Sequence, residues 1–506
     1  MGAENKKAAK HWAYQPKAVR PNAPDFHAMQ ETAVRRYPIF VAGEERAGST
    51  AETVRSPFDG AQVATVAVAG QRDMDDAIAA AVGSLAHVRA MPRYERQAIL
   101  RNIAAGLRAG MDELVETMIA EAGKPRRFAR IEVERAISTF SLAADEVTRS
   151  DGETLPLDVT PSGAGYSAIV SRRPIGVIGA IAPFNFPLNL VAHKLAPAIA
   201  VGNPVVLKVA PQAPLSGLAL ARIVYDAGWP REALSAMHAP VPVAQTLATD
   251  DRIAMLSFTG SSAVGWHLKS IAGRKRVALE LGGNAAAIVC DDADVAWAAK
   301  RCALGAFAQA GQVCIKVQRI YVTRARYEEF VAALLRETEA LAVGDPNDAA
   351  TVVGPLIDDR NADRVSAWVD EAVAGGARLL CGNERRGNVI SPTLLTETKP
   401  SMRVECEEVF GPVATVAVVD SLDEAVDRTN ASRFGLQAGI FTHDVRNIGR
   451  AFERLDVGGV IANDYPTLRI DNFPYGGIKD SGFGREGVRY AMEEMSELKT
   501  LVVKWH

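Results

Sequence analysis

Gly176-Val177-Ile178-Gly179-Ala180-Ile181 runs straight into Ala182-Pro183-Phe184-Asn185-Phe186-Pro187, an apolar hexamer followed by a proline-punctuated loop. Six apolar residues bounded by glycine and proline are too few for a buried helix and read as a buried strand. Apolar residues then continue from about Asn189 to Ala200, a length that suits a helix. Pro204-Val205-Val206-Leu207-Lys208 is a second strand, ending in a cation. Ile253-Ala254-Met255-Leu256-Ser257-Phe258 is a third, followed by Thr259-Gly260-Ser261-Ser262-Ala263-Val264-Gly265 and another helix. Strand-to-helix crossovers repeated in this way predict parallel α/β layers. They place Asn185, Lys208 and Gly260 at carboxyl ends of strands, where open α/β sheets bind ligands.

Upstream, apolar residues at helical spacing cover Asp73 to about Ala90 and, as one run, Arg93 to Ala122, closed by Gly123 and Pro125. Downstream, a second α/β half begins near Gly283 and carries helices and strands from Ala293 through Tyr321-Val322 to about Phe441. Tyr166-Ser167-Ala168-Ile169-Val170-Ser171 and Leu498-Lys499-Thr500-Leu501-Val502-Val503-Lys504 alternate polar and apolar residues like exposed strands. Open sheet edges of that kind are usually covered by another subunit. At 506 residues the chain exceeds one hydrophobic core, and roughly two or three units are expected. The first ~35 residues, with Pro16, Pro21 and Pro24 among charged residues, read as an arm outside the main core.

With 48% hydrophobic and 23% charged residues and a net charge of −3, no basic surplus points to nucleic acid. The five cysteines, Cys290, Cys302, Cys314, Cys381 and Cys406, are widely spaced, with no CxxC pair or interleaved histidines. Neither a disulfide framework nor a metal site is expected. The N-terminus lacks the apolar core of a secretory signal, and no run approaches roughly 18 uninterrupted apolar residues. A reducing cytoplasm, without membrane contact, is the expected setting, and it suits a working thiol.

Cys314, in Phe307-Ala308-Gln309-Ala310-Gly311-Gln312-Val313-Cys314, follows Glu280 of Glu280-Leu281-Gly282-Gly283-Asn284 by 34 positions, and Asn185 precedes both. A thiol, a carboxylate and a side-chain amide are the parts needed to attack a carbonyl, activate water and stabilise an oxyanion. They point to an enzyme that oxidises aldehydes. Taken alone, each has a blander reading: a lone cysteine is more often a small buried apolar residue, an asparagine in a proline-rich turn often caps backbone, and a glutamate before glycines often pairs or caps.

The motifs resolve that ambiguity. Pro183-Phe184-Asn185-Phe186-Pro187, the strand-end Lys208, Phe258-Thr259-Gly260-Ser261, Glu280-Leu281-Gly282-Gly283, Gly311-Gln312-Val313-Cys314, Glu407-Glu408-Val409-Phe410-Gly411-Pro412 and Pro474-Tyr475-Gly476-Gly477-Ile478-Lys479-Asp480-Ser481-Gly482 occur in one order over about 300 residues. From about Arg36 to its C-terminus the chain resembles the aldehyde dehydrogenase superfamily. Its tail from Pro466 to Met495 is most similar to the lactaldehyde and non-phosphorylating glyceraldehyde-3-phosphate branch.

The resemblance implies an α/β fold of two Rossmann-like domains and a small β oligomerisation domain in a homodimer or homotetramer. Residues 36–155 and 173–282 would bind NAD(P), 283–477 would form the catalytic domain, and 156–172 with 478–506 the oligomerisation segments. It further implies Cys314 as nucleophile, Asn185 as oxyanion donor together with the Cys314 backbone N–H, and Glu280 as the base that hydrolyses the thioester. Relatives that pass the acyl group to CoA generally lack that glutamate, so acylation of CoA is the alternative, and a non-catalytic scaffold protein a third reading. For the cofactor it implies Ile181, Pro183, Phe184, Lys208, Pro211, Phe258, Gly260, Ser261, Leu281, Glu408 and Phe410, with Lys208 on the adenine ribose, Gly260 and Ser261 at the pyrophosphate, Glu408 on the nicotinamide ribose and Phe410 against the nicotinamide. NAD-preferring members often carry glutamate where this chain has Pro211, a departure that leaves dual use or NADP open, while NAD stays the first expectation.

For the substrate, succinate-semialdehyde-type relatives carry an arginine where this chain has His193, which disfavours that class. Arg469, on the loop that borders the substrate entrance in relatives, and Arg126 and Arg130, beyond the Glu121-Ala122-Gly123-Lys124-Pro125 turn, are candidates to grip a carboxylate, phosphonate or sulfonate. A small polar or anionic aldehyde is the expected substrate.

Overall fold

The computed structural model describes residues 35–149 and 152–505, so the expected N-terminal arm falls outside the described residues except for its last position. The opening hexamer forms the strand Val177–Ile181, every residue of it buried. It pairs in parallel with Val205–Lys208 on one side and Ile253–Thr259 on the other. Leu234–Met237 and Arg276–Glu280 extend the parallel block to five strands within a sheet of eight. The chain adds strands on one side of Val177–Ile181 and then returns to add them on the other. The carboxyl ends at Ile181 and Thr259 therefore flank a topological switch point, where such sheets open a crevice.

A second sheet follows, its first strand beginning at Ala286. Ala286–Val289, Arg319–Thr323, Val413–Val419, Thr393–Thr396, Gln437–Phe441 and Gly459–Ala462 form six parallel strands, with Arg378–Cys381 antiparallel at one edge. Strands sandwiched between helices are buried on both faces and need continuous apolar runs. Gln437–Phe441 and Arg319–Thr323 are buried at every position.

Two expected boundaries move. The run 93–122 divides into Arg93–Ala109 and Met111–Ala122, because Gly110 ends the first helix and starts the second. Glycine gives up more conformational entropy in a helix than any other residue, which favours the break there. The outlying sheet joins Gly152–Pro156, Tyr166–Pro174 and Ser496–Lys504, so its strands reach past both ends of 156–172 and it takes only the last part of 478–506. Gly482–Phe483 instead pairs antiparallel with Leu279–Glu280, and Val488–Glu494 packs on Asn189–Val201. Ile169, Leu498, Leu501 and Val502 of the outlying sheet stay exposed. Among the described residues, no helix is long and apolar enough to cross a membrane.

Candidate active site

Cys314 lies just beyond a turn that local propensity opposes. Gln309, Ala310 and Gly311 all take left-handed backbone angles, with φ of 55°, 54° and 66°. For the two non-glycine residues that conformation costs about 1–2 kcal/mol each, and tertiary anchors hold it. The Gln309 backbone N–H donates to Val352 O, and its side chain donates to Asn185 O at 2.6 Å. Gln312 donates to Pro355 O at 3.2 Å and accepts from the Ile357 N–H at 3.0 Å. At Gly311 a Cβ would lie 2.2 Å from Gly411 O, so only glycine fits.

Asn185 arrives on the loop after the opening strand. Its Nδ2 donates to Gln312 O at 3.0 Å, which orients the amide and leaves its second N–H for another acceptor. Its carbonyl accepts from Lys124 Nζ at 2.8 Å. Lys124 is fully buried, ion-pairs with Glu132 and lies 3.8 Å from the Phe186 ring centroid. Burial pulls its ammonium down to about 8. The other Glu132 oxygen accepts the Leu188 and Asn189 N–H groups at 2.9 and 3.0 Å, capping the helix Asn189–Val201. One buried pair therefore ties the amide loop to the helix behind it. Lys124→Met would strand the Glu132 carboxylate and is expected to lower unfolding free energy by about 3–5 kcal/mol, read from denaturant midpoints. A loss below about 1 kcal/mol would mean the loop is held by other contacts.

The third group, Glu280, ends the strand Arg276–Glu280. Burial and the neighbouring Glu486 charge push its carboxyl well above the usual range, and its Oε2 is buried without a hydrogen bond. A Cβ on Gly476 would meet Glu280 Oε1 at 3.0 Å, and one on Gly283 would meet Cys314 O at 2.9 Å. Those close approaches bring the Glu280–Gly283 turn against both Cys314 and the Tyr475-Gly476 step. Tyr475 Oη lies 3.1 Å from Cys314 Sγ. Cys314 is half-buried as a residue, and desolvation of its thiol pushes it up to about 11, against the Tyr475 hydrogen bond and the Arg469 charge, which pull it down.

Behind Tyr475 sits a charged cluster. The Arg469 guanidinium lies 3.8 Å from the Tyr475 ring centroid and pairs with Glu486 Oε2 at 2.9 Å. His193 Nε2 lies 3.0 Å from Asp471 Oδ1, and Arg135 donates to the same oxygen at 2.7 Å. Lys194 donates to Ser257, Thr259 and, at 3.5 Å, Glu486. Glu486 and Asp471 stay below the usual carboxylate range. Burial raises both, but Lys194, His193 and Arg469 outweigh it for Glu486, and His193 and Arg135 for Asp471.

Arg469 and His193 thus gather behind the thiol, whereas Arg126 pairs with Glu116 and Arg130 with Asp112 on the outer face of their helix. The sequence reading gave no role to Arg135, Lys194, Asp471, Tyr475 or Glu486. Tyr475 stood inside a quoted motif, but nothing local marks a hydroxyl aimed at a sulfur 161 positions away.

The groups expected to hold a cofactor gather at the switch point. Ile181 ends the central strand, Pro183 and Phe184 follow it, and Phe184 meets the Phe410 ring edge-to-face at 6.0 Å. Lys208 ends its strand with no hydrogen bond or ion pair recorded among the described residues, and burial pulls it down to about 8. Pro211 is exposed. Ser261 caps the ten-residue helix Ser262–Ile271 without a side-chain bond, so the first-turn N–H groups can meet an anion. Gly260 and Gly265 leave room for the Phe258 ring and Leu281. Glu408 accepts the Gly283 N–H at 3.0 Å, and burial pushes its carboxyl up to about 7. A cation, a helix N-terminus and a carboxylate are groups that fit the ribose hydroxyls and pyrophosphate of a dinucleotide.

Residues 44–501 match the aldehyde dehydrogenase family. The chain is 41% identical over 473 residues to 3-sulfolactaldehyde dehydrogenase of Priestia aryabhattai, covering 93% of this chain and 99% of that one. Aldehyde dehydrogenase 21 from Physcomitrella patens, in complex with the reaction product succinate, superposes with a TM-score of 0.92 at 42% identity, covering 94% and 99% of the two chains. Glyceraldehyde-3-phosphate dehydrogenase from Methanocaldococcus jannaschii, complexed with NADP, gives a TM-score of 0.87 at 37% identity, covering 90% and 100%.

Proposed function

The chain belongs to the aldehyde dehydrogenase family, and from that premise we propose that it oxidises a short aldehyde carrying an anionic group to the carboxylic acid, through a thioester on Cys314. The cofactor is NAD(P), with NAD first and NADP open because Pro211 supplies no carboxylate to repel a 2′-phosphate. The bound nicotinamide supplies the hydride acceptor.

The chain's own groups divide the remaining work. Cys314 Sγ bonds to the aldehyde carbon while the carbonyl π pair moves onto oxygen. That oxygen takes the free N–H of the Asn185 amide and the Cys314 backbone N–H. Once the carbon is oxidised to a thioester, Glu280 takes a proton from water, the water oxygen bonds to carbon, and the C–S bond breaks to return the thiolate. Lys208, the Ser261 helix terminus and Glu408 hold the dinucleotide.

The anionic class rests on one observation: a buried arginine stacked on the very ring whose hydroxyl meets the nucleophile. Around it Arg135, Lys194 and Arg469 pair with Asp471 and Glu486, and His193 lies against both carboxylates. A guanidinium so placed favours a sulfonate or carboxylate over a neutral tail. Similarity to a 3-sulfolactaldehyde dehydrogenase and to a structure holding succinate supports the same class. A panel of short aldehydes, neutral, carboxylated, sulfonated, phosphorylated and phosphonylated, assayed with each dinucleotide, is expected to give the highest kcat/KM to a sulfonate or carboxylate. Preference for a long aliphatic aldehyde would overturn the assignment.

A further inference from the structure

We propose that Tyr475 is a catalytic residue, whose hydroxyl donates the hydrogen bond that holds the Cys314 thiolate, and that Arg469, stacked on its ring, strengthens this donor. The assignment rests on Cys314 being the nucleophile. It stands on geometry: Tyr475 Oη is 3.1 Å from Cys314 Sγ, and the tyrosine is 2% exposed. Its backbone N–H and C=O both pair with Glu486, at 2.9 and 2.7 Å, so the ring has little freedom to turn away. Arg469 is clamped by Glu486 on one side and faces Asp471 on the other, and its guanidinium covers the ring face at 3.8 Å. A cation over the ring draws electron density from the phenol oxygen and makes its O–H a better donor.

The other charged groups acting on the sulfur are Glu280 and Glu408, which oppose its ionisation, and Arg469 itself, which favours it. Phenylalanine at 475 would keep the ring and lose only the donor. A desolvated thiol whose ionisation two carboxyl groups oppose needs such a donor, because hydrogen bonds to an ionised partner are roughly twice as strong as neutral ones. Tyr475 transfers no proton in this role. Its bond to sulfur loosens as the sulfur lone pair forms the S–C bond, so it stabilises the nucleophile and tempers its intrinsic reactivity.

Those two consequences have opposite signs, and alkylation separates them. Iodoacetamide modification of Cys314, followed by mass spectrometry of the peptide that contains it, would be measured against pH for the parent protein, Tyr475→Phe, and protein with 3-fluorotyrosine at position 475. In Tyr475→Phe the midpoint of the profile is expected to rise by about one unit, a loss typical of one charge-assisted hydrogen bond. Because nucleophilicity rises with thiol pKa at a slope of about 0.4–0.5, the rate should fall about threefold at neutral pH and rise about threefold on the alkaline plateau. The more acidic fluorophenol, a better donor of unchanged shape, should move the midpoint down and covers the case in which Tyr475→Phe folds poorly. An unmoved midpoint in both proteins, or a rate changed equally at every pH, would overturn the assignment. Alkylation uses neither aldehyde nor dinucleotide, which keeps the two readings apart. A shifted profile without turnover of any aldehyde sinks the proposed function alone, and turnover with an unshifted profile sinks the role of Tyr475 alone.

Discussion

Replacing Cys314 with alanine is expected to lower aldehyde-dependent formation of reduced cofactor by at least roughly 10⁴-fold, as loss of a covalent nucleophile does. An aldehyde carbon is planar and electron-poor, and it releases hydride only after a nucleophile has made it tetrahedral and charged its oxygen. The Asn185 amide and the backbone N–H can stabilise that oxygen only after the S–C bond has formed. Dinucleotide binding should survive, because the contacts proposed for the cofactor, Lys208, Ser261 and Glu408, do not include the sulfur. A titration of cofactor fluorescence would confirm that the variant is folded and loaded. Turnover within tenfold of the parent, with cofactor binding intact, would remove the thiol from the reaction. Among the described residues, none of Cys290, Cys302, Cys381 or Cys406 has its thiol hydrogen-bonded to a phenol, and Cys302 is sealed in the core of the second half. A neighbouring thiol is thus a poor substitute.

The strand that decides the fold was legible because it needs nothing beyond its own composition. Val177–Ile181 is apolar at every position since helices cover both faces, and the same holds for Val205–Lys208 up to its terminal cation. Cys314, Glu280 and Asn185 could be marked because each sits in a dense local motif. The machinery that positions them was not legible. Lys124 pairs with Glu132 across eight residues, but it reaches Asn185 across 61 and the Tyr475 hydroxyl reaches Cys314 across 161. A lysine before a proline and a tyrosine before glycines look like ordinary surface and turn residues until the fold closes over them. Arg126 and Arg130 show the converse, since periodicity put them on a helix without telling its outward face from its inward one. The left-handed Gln309-Ala310 step was equally hidden, because only its contacts with Val352 and Asn185 sustain it.

Glu280→Gln should separate the two halves of the reaction. Acylation leaves the carboxylate idle, so the first turnover is expected to release about one equivalent of reduced cofactor per site at close to the parent rate. Hydrolysis then stalls, and steady turnover should fall about 10²- to 10⁴-fold, the usual contribution of a general base. The pH dependence carries a second signature. Burial and the Glu486 charge hold the Glu280 carboxyl well above its ordinary value, whereas Lys194, His193 and Arg469 keep Glu486 ionised. A base works only when deprotonated, so parent deacylation should rise with pH through that elevated midpoint, well above where an exposed glutamate titrates. Glutamine offers no such group, and its residual rate should instead climb in proportion to hydroxide. Rapid-mixing measurements of the burst and the slow phase across pH test both signatures. A steady rate equal to the parent's would assign water activation to another group. Loss of the burst together with the steady rate would mean that Glu280 is needed before the thioester forms, as the acceptor of the thiol proton.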